Sequence, residues 1–221
     1  MIAEFWTEWG TDITEAFWQT LLMTGISLAI SILIGLPLGI LLVMTRKGGQ
    51  AENRVFYSIV NTIINIIRSI PFIILLFLLL PLTRALIGTT IGVEGVILPL
   101  VVYTAPYIAR LMESALLEVN KGVIEAYESM GISTSKIIWS VILREARSTM
   151  ILGLTIATIG LIGATAMAGL VGAGGLGDLA YQYGHLRFEP VVMYVVIIIL
   201  IILVQAMQTL GNVLARRLRK D

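Results

Sequence analysis

Five apolar runs, at residues 17–44, 54–80, 93–117, 150–171 and 190–211, dominate this 221-residue chain and set the solvent in which it can fold. Each reaches the ~20 residues a helix needs to cross a hydrocarbon layer about 30 Å thick. Hydrophobic residues make up 57% of the chain and charged residues 13%, about half the ~25% of an ordinary soluble domain. So few charges cannot cover the surface of a soluble domain of this size. A soluble enzyme and a disordered chain are both excluded. The last run, VVMYVVIIILIILVQAM, is rich in β-branched residues, but an unbroken apolar stretch of that length reads as a membrane helix. The expected fold is all-α: a polytopic membrane protein of five transmembrane helices, one transmembrane domain over 1–221.

Basic residues orient the spans, because cytoplasmic links carry an excess of Lys and Arg. Of 15 basic residues, 12 fall in or at the borders of the links between runs one and two (Arg46, Lys47, Arg54) and between runs three and four (Arg110, Lys121, Lys136, Arg144, Arg147), and in the tail (Arg216, Arg217, Arg219, Lys220). Arg84 and Arg187 fall on the other side, and Arg68 is left inside a span. The expected topology is N-terminus outside and C-terminus cytoplasmic. Glu4, Glu8, Asp12 and Glu15 precede the first run where a cleavable signal would carry basic residues, so that run is expected to stay as a span. Pro37 is expected to bend it. Cysteine is absent, which removes disulfides, thiol nucleophiles and Cys-ligated metals.

Residues 118–149 are too polar to span and too periodic for a loose loop. Val123, Ala126, Tyr127 and Met130 fall at helical spacing, and Ile137, Ile138, Val141 and Ile142 form a second set beyond Gly131. The expectation is two short amphipathic helices joined at Gly131, with Ser133 or Thr134 capping the second. Such a pair either lies on lipid headgroups or forms a docking knob for a soluble partner.

Glu125-Ala126-Tyr127, three residues, then Gly131 resembles the Glu-Ala-Ala signature of ABC-importer permease subunits. The match departs from the family at Tyr127, where a second Ala is usual, and at Arg144, where Pro is usual. Arg68-Ser69-Ile70-Pro71-Phe72, Tyr103-Thr104-Ala105-Pro106-Tyr107 and the glycine-rich 169–177 resemble the permeases of methionine ABC importers over nearly the whole chain. The resemblance implies a non-catalytic permease subunit of a type I importer in the bacterial inner (cytoplasmic) membrane. Its implied partners are a second copy of itself, two cytoplasmic ATPase subunits, an extracytoplasmic methionine-binding lipoprotein and membrane lipid, with no nucleic acid. It implies no cofactor in this chain, since ATP and Mg would be bound by the partner ATPase. Residues 118–149 become a coupling region, with Glu125, Ala126, Tyr127 and Gly131 as ATPase-coupling residues. Ala126 and Gly131 would let its two helices approach closely. No G-x-x-x-x-G-K-S/T motif occurs in the chain.

Arg68, Ser69 and Pro71 are candidates for a helix break near the pathway, where freed carbonyls would receive Arg68; a structural tie to a neighbouring helix is the other reading. Asn61 and Asn65 share a helix face, which suggests a polar seam. Gly153, Gly160 and Gly163 would give a smooth helix-packing face. Met167, among small residues, is a pathway candidate. The stretch VGAGGLGD at 171–178 resembles a phosphate loop in composition only, and reads as a flexible outer turn or a re-entrant one. Asp178 would contact a delivering protein or merely face solvent, and His185, the only histidine, reads as an exposed loop residue. An ion-coupled secondary transporter would want internal repeats and membrane-embedded carboxylates; no convincing repeat appears, and the spans hold almost no acidic residue except Glu113, near the end of the third run. A membrane scaffold without a pathway, and a permease for another small amino acid or sulfur compound, are the remaining alternatives.

Overall fold

A computed structural model describes residues 2–219, with the side chains of 2–4, 121 and 135 excepted. Lys220 of the basic tail lies outside the described residues. The fold is all-helical, and no strand occurs among the described residues. The helices are α1 (Ile2–Thr45), α2 (Arg54–Ser69), α3 (Phe72–Ile87), α4 (Gly92–Leu117), α5 (Lys121–Ser129), α6 (Thr134–Ile137), α7 (Leu143–Ala168), α8 (Gly175–Leu179) and α9 (Pro190–Leu218). A π-helical turn, Ile138–Ile142, joins α6 to α7.

Among the described residues, four helical stretches are long and apolar enough to cross a membrane: Phe5–Thr45, Gly92–Leu117, Ile138–Val171 and Pro190–Leu218. A fifth crossing exists only if α2 and α3 are taken together, because the pair is bent by 108° at its break. The expected single span over 54–80 is therefore corrected to two helices, the second running on to Ile87. Pro71 is the cause. It offers no N–H and disfavours helical backbone at Ile70, while its own ψ of 138° is extended and its carbonyl accepts from Ile74 and Leu75 to start α3. The first helix also exceeds its expected bounds. It is assigned from Ile2 without interruption through Pro37 to Thr45.

The chain folds as two compact units, each made of discontinuous segments. One holds residues up to Ile30, Ile70–Thr104 and Thr158–Met207. Its core packs Met23, Leu76, Leu100, Leu161 and Ala173, with a second cluster around Ile13, Leu176, Val192 and Val196. The other holds Ser31–Ser69, Ala105–Ala157 and the chain from Gln208 on. There Leu42, Ile64 and Ala109 are buried together.

Close helix packing in the second unit depends on a G-x-x-x-G pair, Gly35 and Gly39. A Cβ on Gly35 would stand 2.7 Å from the Ala105 carbonyl oxygen, and one on Gly39 would stand 2.7 Å from Met112 Cβ and 2.8 Å from the Ala109 carbonyl oxygen. Small residues one turn apart let two backbones approach where no side chain fits. We expect Gly39→Val to cost about 1–3 kcal/mol through overpacking. Thermal unfolding in detergent should show it, with Gly25→Val, at a position open on all sides, as the unaffected control.

Candidate functional site

Helix α5 begins where the Asn120 side chain accepts a 2.8 Å hydrogen bond from the Gly122 amide, satisfying one of the first free N–H groups. It ends in a Schellman turn: the Gly131 amide donates to Glu128 O at 2.9 Å and the Ile132 amide to Tyr127 O at 3.3 Å. Gly131 has φ +72°, which L side chains adopt at a cost. Val123, Ile124 and Tyr127 pack inward with Ile132 on buried Leu116, Ile137, Ile138, Val141 and Ile142. Each buried Ile or Val there contributes roughly 1.5–3 kcal/mol. The outward face carries Glu125, Ala126, Glu128, Ser129 and Met130, all exposed.

Two expectations are corrected here. Ala126 and Met130 belong to the outer face, Met130 being 64% exposed, and Ile124 takes the inner position. Gly131 permits no close helix approach, since a Cβ there would meet nothing within 4 Å, so its requirement is conformational. Nor is the second helix short. From Thr134 the chain continues through the π-helical turn into α7 without a break. Arg144, standing exposed where the resembled family has proline, leaves that helix free to continue.

The link from Arg46 to Asn53 is tied to α5 by Gln50, whose Nε2 donates to Glu128 Oε1 at 3.0 Å. A cavity of about 330 Å³ lies between them, lined by Met44, Lys47, Leu116, Ile124, Glu125 and Ile142 among others. Within the link, Glu52 accepts from the Gly48 amide at 2.9 Å and from Arg54 Nε at 2.7 Å. The Gly48 amide first, then Arg54, hold its carboxyl below the ordinary value of 4.5. A carboxyl lowered in the fold stabilises the link above the ordinary value, and that contribution is lost as pH falls through the lowered one. Exchange of the Gly48 amide should therefore accelerate on acidification below pH 4.5 and become pH-insensitive there, intrinsic exchange aside, in Glu52→Gln.

The expected polar seam is present and larger than expected. Arg110 of α4 donates through Nη2 to Asn61 Oδ1 at 2.6 Å and to Asn65 Oδ1 at 2.9 Å, and through Nη1 to Glu113 Oε2. Tyr57 Oη donates to Glu113 Oε1 at 3.4 Å. One turn back along α4 from Arg110, the ring centroid of Tyr107 lies 5.7 Å from the guanidinium carbon of Arg68, a cation–π distance. Tyr57, Asn61, Asn65 and Arg68 thus form one face of α2, running against Glu113, Arg110 and Tyr107 of α4. Arg110, expected in a cytoplasmic link, sits inside α4 instead. The signal was available as an Arg-x-x-Glu pair, one turn apart, within an apolar helix.

Arg68, Ser69 and Pro71 do meet at a helix break. Ser69 Oγ bonds Ile66 O at 2.7 Å, while Arg68 contacts Tyr107 instead of the freed carbonyls. Of the three packing glycines, Gly153 alone faces close neighbours within the chain: a Cβ there would stand 3.3 Å from Leu111 Cβ and from Met112 Cε. Gly160 and Gly163 face open space and form an exposed stripe with Met167, which is 50% exposed. The glycine-rich turn is fastened rather than free. Gln19 Oε1 accepts from the Gly175 amide at 2.7 Å, Thr20 Oγ1 from the Leu176 amide at 2.9 Å, and Gly177 has no room for a Cβ beside the Ala166 carbonyl. Asp178 accepts from Gln182 at 2.8 Å, and His185 stacks on Tyr181 with ring centroids 5.9 Å apart.

Comparison with known proteins places the chain in a family. The sequence model of the family described as binding-protein-dependent transport system inner membrane component matches residues 35–220. The chain is 42% identical over 213 residues to a probable D-methionine transport system permease protein of Vibrio cholerae, covering 96% of this chain and 95% of the other. It is 43% identical over 210 residues to the methionine import system permease protein of Bacillus subtilis, covering 95% of each. A solved structure described as inward-facing conformations of the MetNI methionine ABC transporter superposes with a TM-score of 0.92 at 44% identity, covering 95% of this chain and 97% of that one. An amino acid ABC transporter crystallised with histidines shares the fold alone, at a TM-score of 0.78 and 19% identity. The chain belongs to the family of binding-protein-dependent transport system inner membrane components, and is a multi-pass membrane permease.

Proposed function

We propose that this chain is one permease domain of an ATP-driven methionine importer, coupled to a separate cytoplasmic ATPase. The observation that carries the reading is helix α5: capped at one end, closed by a Schellman turn at the other, packed through Tyr127, and presenting Glu125 and Ala126 outward. Substrate class is supported by the printed names of relatives at 42% and 43% identity over nearly full length. In this reading the N-terminus faces outside and residues 118–149 and the tail face the cytoplasm, because 12 of 15 basic residues fall on that side by the sequence count, or 11 once Arg110 is placed within α4. The stripe of Gly160, Gly163 and Met167, unfilled within the chain, faces a second copy across the substrate path. Arg68 and the Ser69–Pro71 break act as a tie between α2 and α4 beside that path. A methionine-binding lipoprotein delivers substrate from outside, and two ATPase subunits bind the ATP and Mg that power uptake. The bacterial inner membrane is the location this assembly requires.

A single cysteine tests the orientation, since the chain has none of its own. Ser129→Cys, exposed on α5, should react with an impermeant maleimide only in inverted vesicles of permease expressed without the ATPase, and tagged permease expressed with the ATPase should carry it through purification. Labelling in right-side-out vesicles would contradict the orientation; purification without the ATPase would contradict the coupling role.

A further inference from the structure

The end of α9 is fastened to α7 by two bonds from neighbouring side chains. Arg147 Nε donates to Leu218 O and Ser148 Oγ to Ala215 O, each at 2.9 Å. The last carbonyls of a helix lack intrahelical partners and carry partial negative charge, so Arg147 at Leu218 is well placed. Beside this joint lies a pocket of about 320 Å³. Its polar lining is Arg144, Glu145, Ser148, Thr149 and Arg219. Ser148 is committed to α9, Thr149 donates to Glu118 Oε2 at 3.2 Å, and Glu145 is itself engaged. Arg144 and Arg219 are exposed, and neither has an ion pair or side-chain hydrogen bond among the described residues.

Two uncommitted guanidiniums over a pocket about ten times the ~30 Å³ share of a liquid water suit an anion with several oxygens, which the planar fork recognises. The remaining lining is apolar: Leu152 of α7 and Leu218 of α9. One turn further along α7 is Ile156, and one and two turns back along α9 are Leu214 and Leu210, all exposed. An anion site that opens onto exposed apolar helix faces has the chemistry of a phospholipid, headgroup and chains together. Basic pockets between membrane helices on the cytoplasmic side hold anionic headgroups. We propose that Arg144 and Arg219 bind the phosphate of an anionic phospholipid whose acyl chains lie along Leu152 and Ile156 of α7 and Leu210 and Leu214 of α9. The inference rests on the cytoplasmic placement of the tail proposed above.

The test is phosphatidylglycerol retention by the full-length protein after exchange through vesicles of phosphatidylcholine with phosphatidylglycerol as the minor component, read by native mass spectrometry. Arg144→Ala with Arg219→Ala should lower retention about tenfold, equivalent to about 1.4 kcal/mol. Arg216→Ala with Arg217→Ala removes the same charge from exposed residues that do not line the pocket, and should change retention less than about twofold. Equal losses in both pairs would overturn the pocket in favour of diffuse surface charge. Displacement of the lipid by added inorganic phosphate would overturn the lipid assignment in favour of the free anion. Unchanged lipid with loss of the co-purifying ATPase would make this a protein contact instead. Retention is read without reference to sidedness, so Ser129→Cys labelled from the wrong side overturns the orientation alone.

Discussion

Arg110→Ala is expected to leave little folded protein, and Arg110→Ala with Glu113→Gln substantially more. The Glu113 side chain is 5% exposed and the Arg110 side chain 23%, within a helix that crosses the membrane. Removing the guanidinium leaves the carboxylate with only Tyr57 at 3.4 Å and strands the oxygens of Asn61 and Asn65. Breaking a buried pair on one side costs about 3–5 kcal/mol, a large share of the ~5–15 kcal/mol that holds a typical fold together. Neutralising Glu113 as well relieves the orphaned charge, so the double variant should recover part of that loss. Arg110→Lys should fall between, because one ammonium cannot fork to Glu113 and both asparagines. Thermal unfolding of the purified variants, arranged as a double-mutant cycle, measures the coupling. Additive losses at Arg110 and Glu113 would show that the seam is not a unit.

At Gly131 the effect is expected on coupling, with folding and insertion spared. Nothing lies within 4 Å of a Cβ there, so substitution is resisted by backbone conformation alone. Asparagine and aspartate tolerate left-handed backbone far better than a β-branched residue. Gly131→Asn should thus keep the turn, and Gly131→Val should break the bonds from Gly131 and Ile132 that close α5. Gly131→Asp keeps the turn but places a charge on the exposed tip. If that tip docks on the ATPase, Gly131→Val and Gly131→Asp should each lower ATPase retention about tenfold, near 1.4 kcal/mol. Gly131→Asn should stay within about twofold. Normal retention in both Val and Asp variants would remove α5 from the docking surface.

Membrane residence and helix content were legible because apolar run length is a one-dimensional property, and four of the five runs became spanning helices. The fifth was hidden in plain view. Pro71 marked the break, as expected, but an apolar count over 54–80 is blind to a bend of 108° there. Helical spacing found Ile137, Ile138, Val141 and Ile142, all buried, yet it mis-sided Ala126 and Met130, since on a nine-residue helix the apolar face is set by what packs against it. The resemblance pointed to Glu125, Ala126 and Gly131; the hydrogen bonds supply the reason a glycine stands at the end of that run. Arg110 was obscured because a charge near a span's end counts as a link residue until its partners are seen. Gly160 and Gly163 looked like the packing glycines, while close approach within the chain falls at other glycines, among them Gly35 and Gly39, whose neighbours at Ala105 and Ala109 lie some 70 residues away.

The most direct test of the whole account is uptake of labelled methionine into proteoliposomes that contain this permease with its ATPase, ATP inside and the methionine-binding protein outside. Accumulation should require all three and should collapse when ATP or the binding protein is withheld. Accumulation that persists without ATP under an imposed ion gradient, or ATP hydrolysis that drives no methionine inward, would contradict it.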